Sequence, residues 1–163
     1  MPMSGKNPFH SAIHGVALVP QSVNGAAVNG ATITEPWKKG RWITFIFIGG
    51  AWAAVVDGTL AVEGLKRSDG TTWVAIKEAD GTTALVFLAT LLDDAGIGEN
   101  GSFIGSLDLT AFDGSTYKAI RLVYTEAGSA AALVGCAYYI SGLYSEPGGD
   151  TDYLYAKTRY TDA

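Results

Sequence analysis

The chain has 163 residues, 48% of them apolar and 17% charged, with a net charge of −5. That length and composition suit one globular domain with an adequate core and exclude a disordered chain. The single Cys136 excludes an internal disulfide or a cysteine-based metal cluster.

No uninterrupted apolar run reaches the ~18–20 residues of a membrane helix. The opening "MPMSGKNPFHSAIHG" has no apolar core of signal-peptide length. A chain made and used without secretion, or released by another route, is therefore expected, with no membrane partner. Charge is uneven, at +3 over residues 1–42 and −8 over residues 43–163. The acidic body argues against a nucleic-acid partner. The basic leading segment is either a solubility feature or a dock for an acidic neighbour.

Taken in chain order, residues 1–16 hold no sustained period of two or 3.6 and read as an N-terminal arm. Residues 17–35, "ALVPQSVNGAAVNGATITE", contain two Asn-Gly turn signals and fit short edge strands, where Pro20 is tolerated. "RWITFIFIGG", Arg41 to Gly50, is the strongest strand. It is apolar on both faces, which predicts a central strand covered on both sides. "TLAVEGLKRS" and "TTWVAIKE" are the next two strands. Ala84 to Leu92 suits a buried strand or a short helix, with strand favoured by its surroundings. "GSFIGSLDLT", "STYKAIRLVYTEA" and "AAALVGCAYYISG" complete the set. In the second of these, Tyr117, Ala119, Arg121 and Val123 alternate with Lys118, Ile120, Leu122 and Tyr124. Cys136 reads as a small buried hydrophobe. After Gly142 the pattern stops, and residues 143–163 read as a tail outside the core or a strand for another subunit.

Short strands spaced about ten residues apart by glycine turns predict an all-β fold, a single antiparallel β-sandwich or jelly-roll-like domain over residues 17–142.

Asp-Gly followed by Thr or Ser occurs four times, at Asp57, Asp69, Asp80 and Asp113. The intervals are irregular and each copy offers one carboxylate, whereas calcium repeats need several oxygens at fixed offsets. Turns are the better reading. For "LKRSDGTTWVAIKE" the register can be worked out. A two-residue turn would set Glu63 opposite Ile76 and mix the faces. A three-residue loop, Ser68-Asp69-Gly70, sets Val62 opposite Ile76 and Leu65 opposite Trp73, and segregates the side chains. Leu60, Val62, Val74 and Ile76 then share one face, and Leu65, Trp73, Glu63 and Ala75 the other. Gly70 takes the positive-φ bulge position and Asp69 bonds nearby amides.

Catalytic patterns are weak. His10 and His14 are the only histidines, four apart, with no acid between them and Pro8 and Gly15 close by. They read as polar arm residues before metal ligands. No GxSxG elbow supports a hydrolase, and "GIGENG" lacks the lysine of a phosphate loop. Asp93, Asp94 and Glu99 form an acidic loop for which solvation is simpler than a cation site. No enzyme activity and no cofactor are expected. Trp37, Trp42, Trp52 and Trp73, with eight tyrosines, suit a protein interface better than sugar stacking.

The order "GAAVNGATITEPW", "WITFIFIGGA", "LKRSDGTTWVAI", "STYKAIRLVYTEAGSAAALVGCAYYI" resembles a group of small tailed-bacteriophage virion proteins of the head decoration or minor capsid (cement) type, over roughly residues 23–141. In that group a turn-and-strand opening, a hydrophobic strand, a Ser-Asp-Gly hairpin ending in Trp and a Tyr-x-x-x-Arg-Leu strand follow in this order. The resemblance implies a structural protein made in the host cytoplasm and bound to the capsid exterior. Its partners would be the major capsid protein and neighbouring copies of itself, as a dimer or trimer. It carries over no functional residue. The residues expected at partner contacts are Phe9, His10, His14, Trp73, Tyr144, Tyr153, Tyr155 and Tyr160. A tail or fibre component and a carbohydrate-binding sandwich are the alternatives.

Overall fold

The computed structural model describes residues 13–52, 58–78, 82–88, 102–112, 114–127, 131–141, 154–157 and 160–161. The strands are β1 (Ile13–Val23), β2 (Ala27–Asn29), β3 (Ile33–Thr34), β4 (Trp42–Trp52), β5 (Gly58–Lys66), β6 (Trp73–Ala75), β7 (Lys77–Glu78), β8 (Val86–Leu88), β9 (Ser102–Asp108), β10 (Tyr117–Glu126), β11 (Ala132–Ser141), β12 (Leu154–Lys157) and β13 (Tyr160–Thr161). Short 3-10 turns cover Pro36–Lys38 and Leu109–Ala111.

The expected hairpin has the segregating register. Leu65 pairs with Trp73 and Glu63 with Ala75, and the Ile76 amide donates to the Val62 carbonyl at 3.2 Å. Gly70 sits at φ +67, in the left-handed region where a side chain is disfavoured. Asp69 Oδ1 accepts from the amides of Thr71 and Thr72, both at 2.9 Å. The Thr72 hydroxyl and those two amides hold the Asp69 carboxyl down at about 2.

This turn is the centre of a nested set of antiparallel pairs. Outward from it lie β5 with β6, β4 with β9, β2 and β3 with β10, and β1 with β11. Rolling this long hairpin brings β10 against β5 and β11 against β4. The first sheet then runs β1-β11-β4-β9-β12 and the second β2-β10-β5-β6, with β3 also on β10 and β8 also on β5. Counting β2/β3 as one broken strand and β6/β8 as another, this is the strand order of a jelly roll with two Greek keys.

The two sheets enclose one core. Phe45 and Phe47 of the first sheet meet Leu60, Val62, Leu122 and Tyr124 of the second, all fully buried. Phe47 and Tyr124 lie with centroids 5.9 Å apart. Large side chains of this kind each stabilise the fold by ~1.5–3 kcal/mol when fully buried. Cys136 is buried as expected, and desolvation pushes its thiol up to about 12.

Four details differ from the sequence reading. Residues 13–16, expected in the arm, begin β1, where Ile13 pairs with Ile140 and His14 with Tyr139. In the segment expected as a tail, β12 pairs with β9 in parallel and β13 with β7, both within the chain. A register shift between Tyr117 and Ala119 turns Tyr117 inward beside Ile120 and Leu122. This shift breaks the expected alternation, because one extra residue in a strand reverses the facing of those before it. Finally, β4 is central but is covered on both sides along only part of its length.

Candidate functional site

Alternation along β4 and β11 sends Ile43, Phe45, Val134 and Cys136 into the core. The intervening residues form the outer face of the first sheet. Cross-strand pairing lines up Val16, Ala137, Ile46 and Ile104 in one row across β1, β11, β4 and β9. The next row holds Gly135 opposite Ile48, with Pro20 beside Gly135.

The two ends of this face differ. At one end Val16 is 51% exposed, Ile48 55% and Leu133 45%. These side chains and Pro20 stand around Gly135 and Ala137, where little or no side chain projects, and leave an open trough of about 280 Å³. At the other end the polar groups bond to one another. Thr44 Oγ1 and Ser106 Oγ are 2.8 Å apart. Arg41 Nη2 donates to Asp108 Oδ2 at 3.1 Å, and the Thr110 amide and hydroxyl donate to Asp108 Oδ1 at 3.0 and 2.7 Å. Burial works to raise the Asp108 carboxyl, but the Thr110 bonds and Arg41 outweigh it and hold it below its usual range.

The outer face of the second sheet has a different character. Arg121 Nε and Nη2 both donate to Glu63 Oε2, at 2.9 and 2.7 Å, and the guanidinium lies 4.2 Å above the Trp73 ring. Trp73 is therefore on an outer face, half-buried, with one ring face occupied. Near the turn, Arg67 Nη2 and Lys38 Nζ donate to Glu35 Oε1 at 2.7 and 2.9 Å. These two bonds lower the Glu35 carboxyl.

The expected contact residues do not gather in one patch. His14 is exposed on β1 at the border of the apolar face. Tyr155 lies on β12 at the opposite edge of the same sheet, in register with Gly105, and Tyr160 pairs with Glu78. Trp73 is on the other sheet. Phe9, His10, Tyr144 and Tyr153 lie outside the described residues, as do Asp93, Asp94 and Glu99. Trp37 stacks on Phe112 at 6.0 Å and Trp42 is buried, while the Trp52 side chain lies outside the described residues.

Val16, Ile48 and Leu133 are surface residues that the sequence reading missed. Their signal was present in the two-faced apolar pattern of "RWITFIFIGG" and in the small-residue strand "AAALVGCAYYI". Both patterns read as burial under a second layer, whereas here that layer is missing from one end of the sheet.

The arrangement offers apolar contact and shape. Among the described residues, no three His, Cys, Asp or Glu side chains come together as a metal-binding group. Comparison with family models, with curated proteins and with solved structures returns no match.

Proposed function

We propose that the protein is a non-enzymatic structural component of a phage virion, bound to the capsid exterior as a decoration or cement protein. The observation that carries this reading is the open apolar face of β1, β11 and β4. Val16, Ile48 and Leu133 stand about half exposed around a trough of small residues, with no Lys, Arg, Asp or Glu among the trough's lining residues. Exposed apolar patches of this kind mark surfaces that assemble. Covering three half-exposed aliphatic side chains contributes about 1 kcal/mol each.

Two further features support the same reading. The chain resembles phage head decoration and minor capsid proteins over residues 23–141, and jelly rolls recur in viral capsid domains. The fold alone decides nothing, because lectins share it. A sugar site needs an open aromatic platform, and Trp37, Trp42 and Trp73 are engaged with Phe112, Arg41 and Arg121.

The test is co-sedimentation of the purified protein with empty heads assembled from the major capsid protein of the same genome. Saturable binding to heads is expected. Binding to purified tails alone would move the protein to the tail. Indifference to heads combined with retention on a polysaccharide column would replace the virion reading with a carbohydrate-binding one.

A further inference from the structure

We infer that the occupant of the apolar face is a second copy of this chain, packed face to face about a twofold axis. This inference rests on the reading of that face as an assembly surface, and it names the partner.

Charge is the first argument. The outward positions of β11 and β4 run Leu133, Gly135, Ala137, Tyr139, Ser141 and Trp42, Thr44, Ile46, Ile48, Gly50. None carries a formal charge. At a twofold axis every residue faces its own copy, so an ionised group there would meet its like. The chain carries −5 overall. Two copies can therefore approach closely only through a face that holds none of that charge. The outer face of the other sheet, with Glu63 and Arg121, would be a poorer choice.

Shape is the second argument. Ridges at Ile48 and Leu133 adjoin hollows at Gly135 and Ala137. A twofold rotation sets each ridge over the partner's hollow, which is how the inner faces of two sheets interdigitate ~10 Å apart.

The third argument is that edge pairing is obstructed. The β1 edge carries two register shifts and Pro20, and its Ala17 carbonyl is taken by the Ala31 amide at 2.7 Å. The outer edge of β9 is covered by β12. Bulges and prolines of this kind block strand addition, which leaves the face as the route to self-association.

Area sets the expected strength. Four strands ~4.8 Å apart and seven residues of ~3.4 Å give about 450 Å² of projected face per copy. Corrugation brings the pair near the ~1,200 Å² lower limit of specific interfaces, so a micromolar dimer is expected.

The experiment is sedimentation equilibrium on the full chain between about 1 and 100 µM, a range that brackets such an affinity. Wild type should pass from monomer to dimer. Ile48→Asp and the milder Leu133→Ser should each weaken the dimer at least about tenfold, with unchanged circular dichroism. Trp73→Ala, on the opposite sheet, should dimerise as wild type does. A monomer throughout, a trimer, or variants as dimeric as wild type would each overturn the inference. A monomeric wild type whose head binding is lost in Ile48→Asp would also overturn it, by giving the face to the capsid. A dimer that ignores heads would sink the virion reading alone.

Discussion

At the scale of single residues, glycine does two different jobs on either side of the same hairpin. Gly70 holds φ +67 with open space around it, whereas a Cβ on Gly64 would stand 2.5 Å from the buried Tyr117 ring. Gly70→Ala therefore meets only backbone strain, about 1 kcal/mol. Gly64→Ala must displace a packed aromatic and should lose about 2 kcal/mol. Urea midpoints of the two variants check the order, and a greater loss in Gly70→Ala would contradict it. Asp69 adds a pH dependence. Its carboxyl is held at about 2, below the ordinary 3.8 of the unfolded chain. Its contribution is thus fully present above about pH 4 and is lost as pH falls through about 2. The gap in melting temperature between wild type and Asp69→Ala should be widest near neutral pH and close toward pH 2. A gap that does not change with pH would mean that the charge plays no part.

At the scale of elements, alternation was a good guide to which segments are strands and a poorer guide to what lies on each side of them. The register of β5 on β6 was legible because only one pairing segregates Val62 and Ile76 from Trp73. The inward turn of Tyr117 was not, because a one-residue bulge leaves no mark in an alternating sequence. Nor was the exposure of Ile48, since an apolar strand reads the same whether its outer neighbour is a second layer or another molecule. The outer face of the second sheet supplies a test of its own cross-strand cluster. Arg121 stacks 4.2 Å above Trp73 while bonding Glu63. A double-mutant cycle between Arg121→Ala and Trp73→Ala should give a coupling of about 0.5–1 kcal/mol. Simple additivity of the two losses would show that the stacking contributes nothing.

At the scale of the whole molecule, the chain is one long hairpin rolled over on itself, and the Asp69-Gly70 turn lies at its centre. Each nested pair brings the ends of the next pair together, so loop closure is least costly when pairing spreads outward from that turn. Gly70→Ala should then slow folding about fivefold for ~1 kcal/mol of destabilisation, with little change in unfolding. A chevron in which only the unfolding limb moves would place the nucleus elsewhere, for instance in the β10–β5 pairing.

Residue pattern alone determined the all-β class, most strand positions, the hairpin register and the burial of Cys136, because period-two alternation and turn chemistry are local. Only the tertiary structure decided which sheet each strand joins and where the outer layer is missing. Rolling the hairpin places β11 between β1 and β4, and that placement, set by contacts far apart in sequence, gathers Val16, Ile48 and Leu133 into one open face.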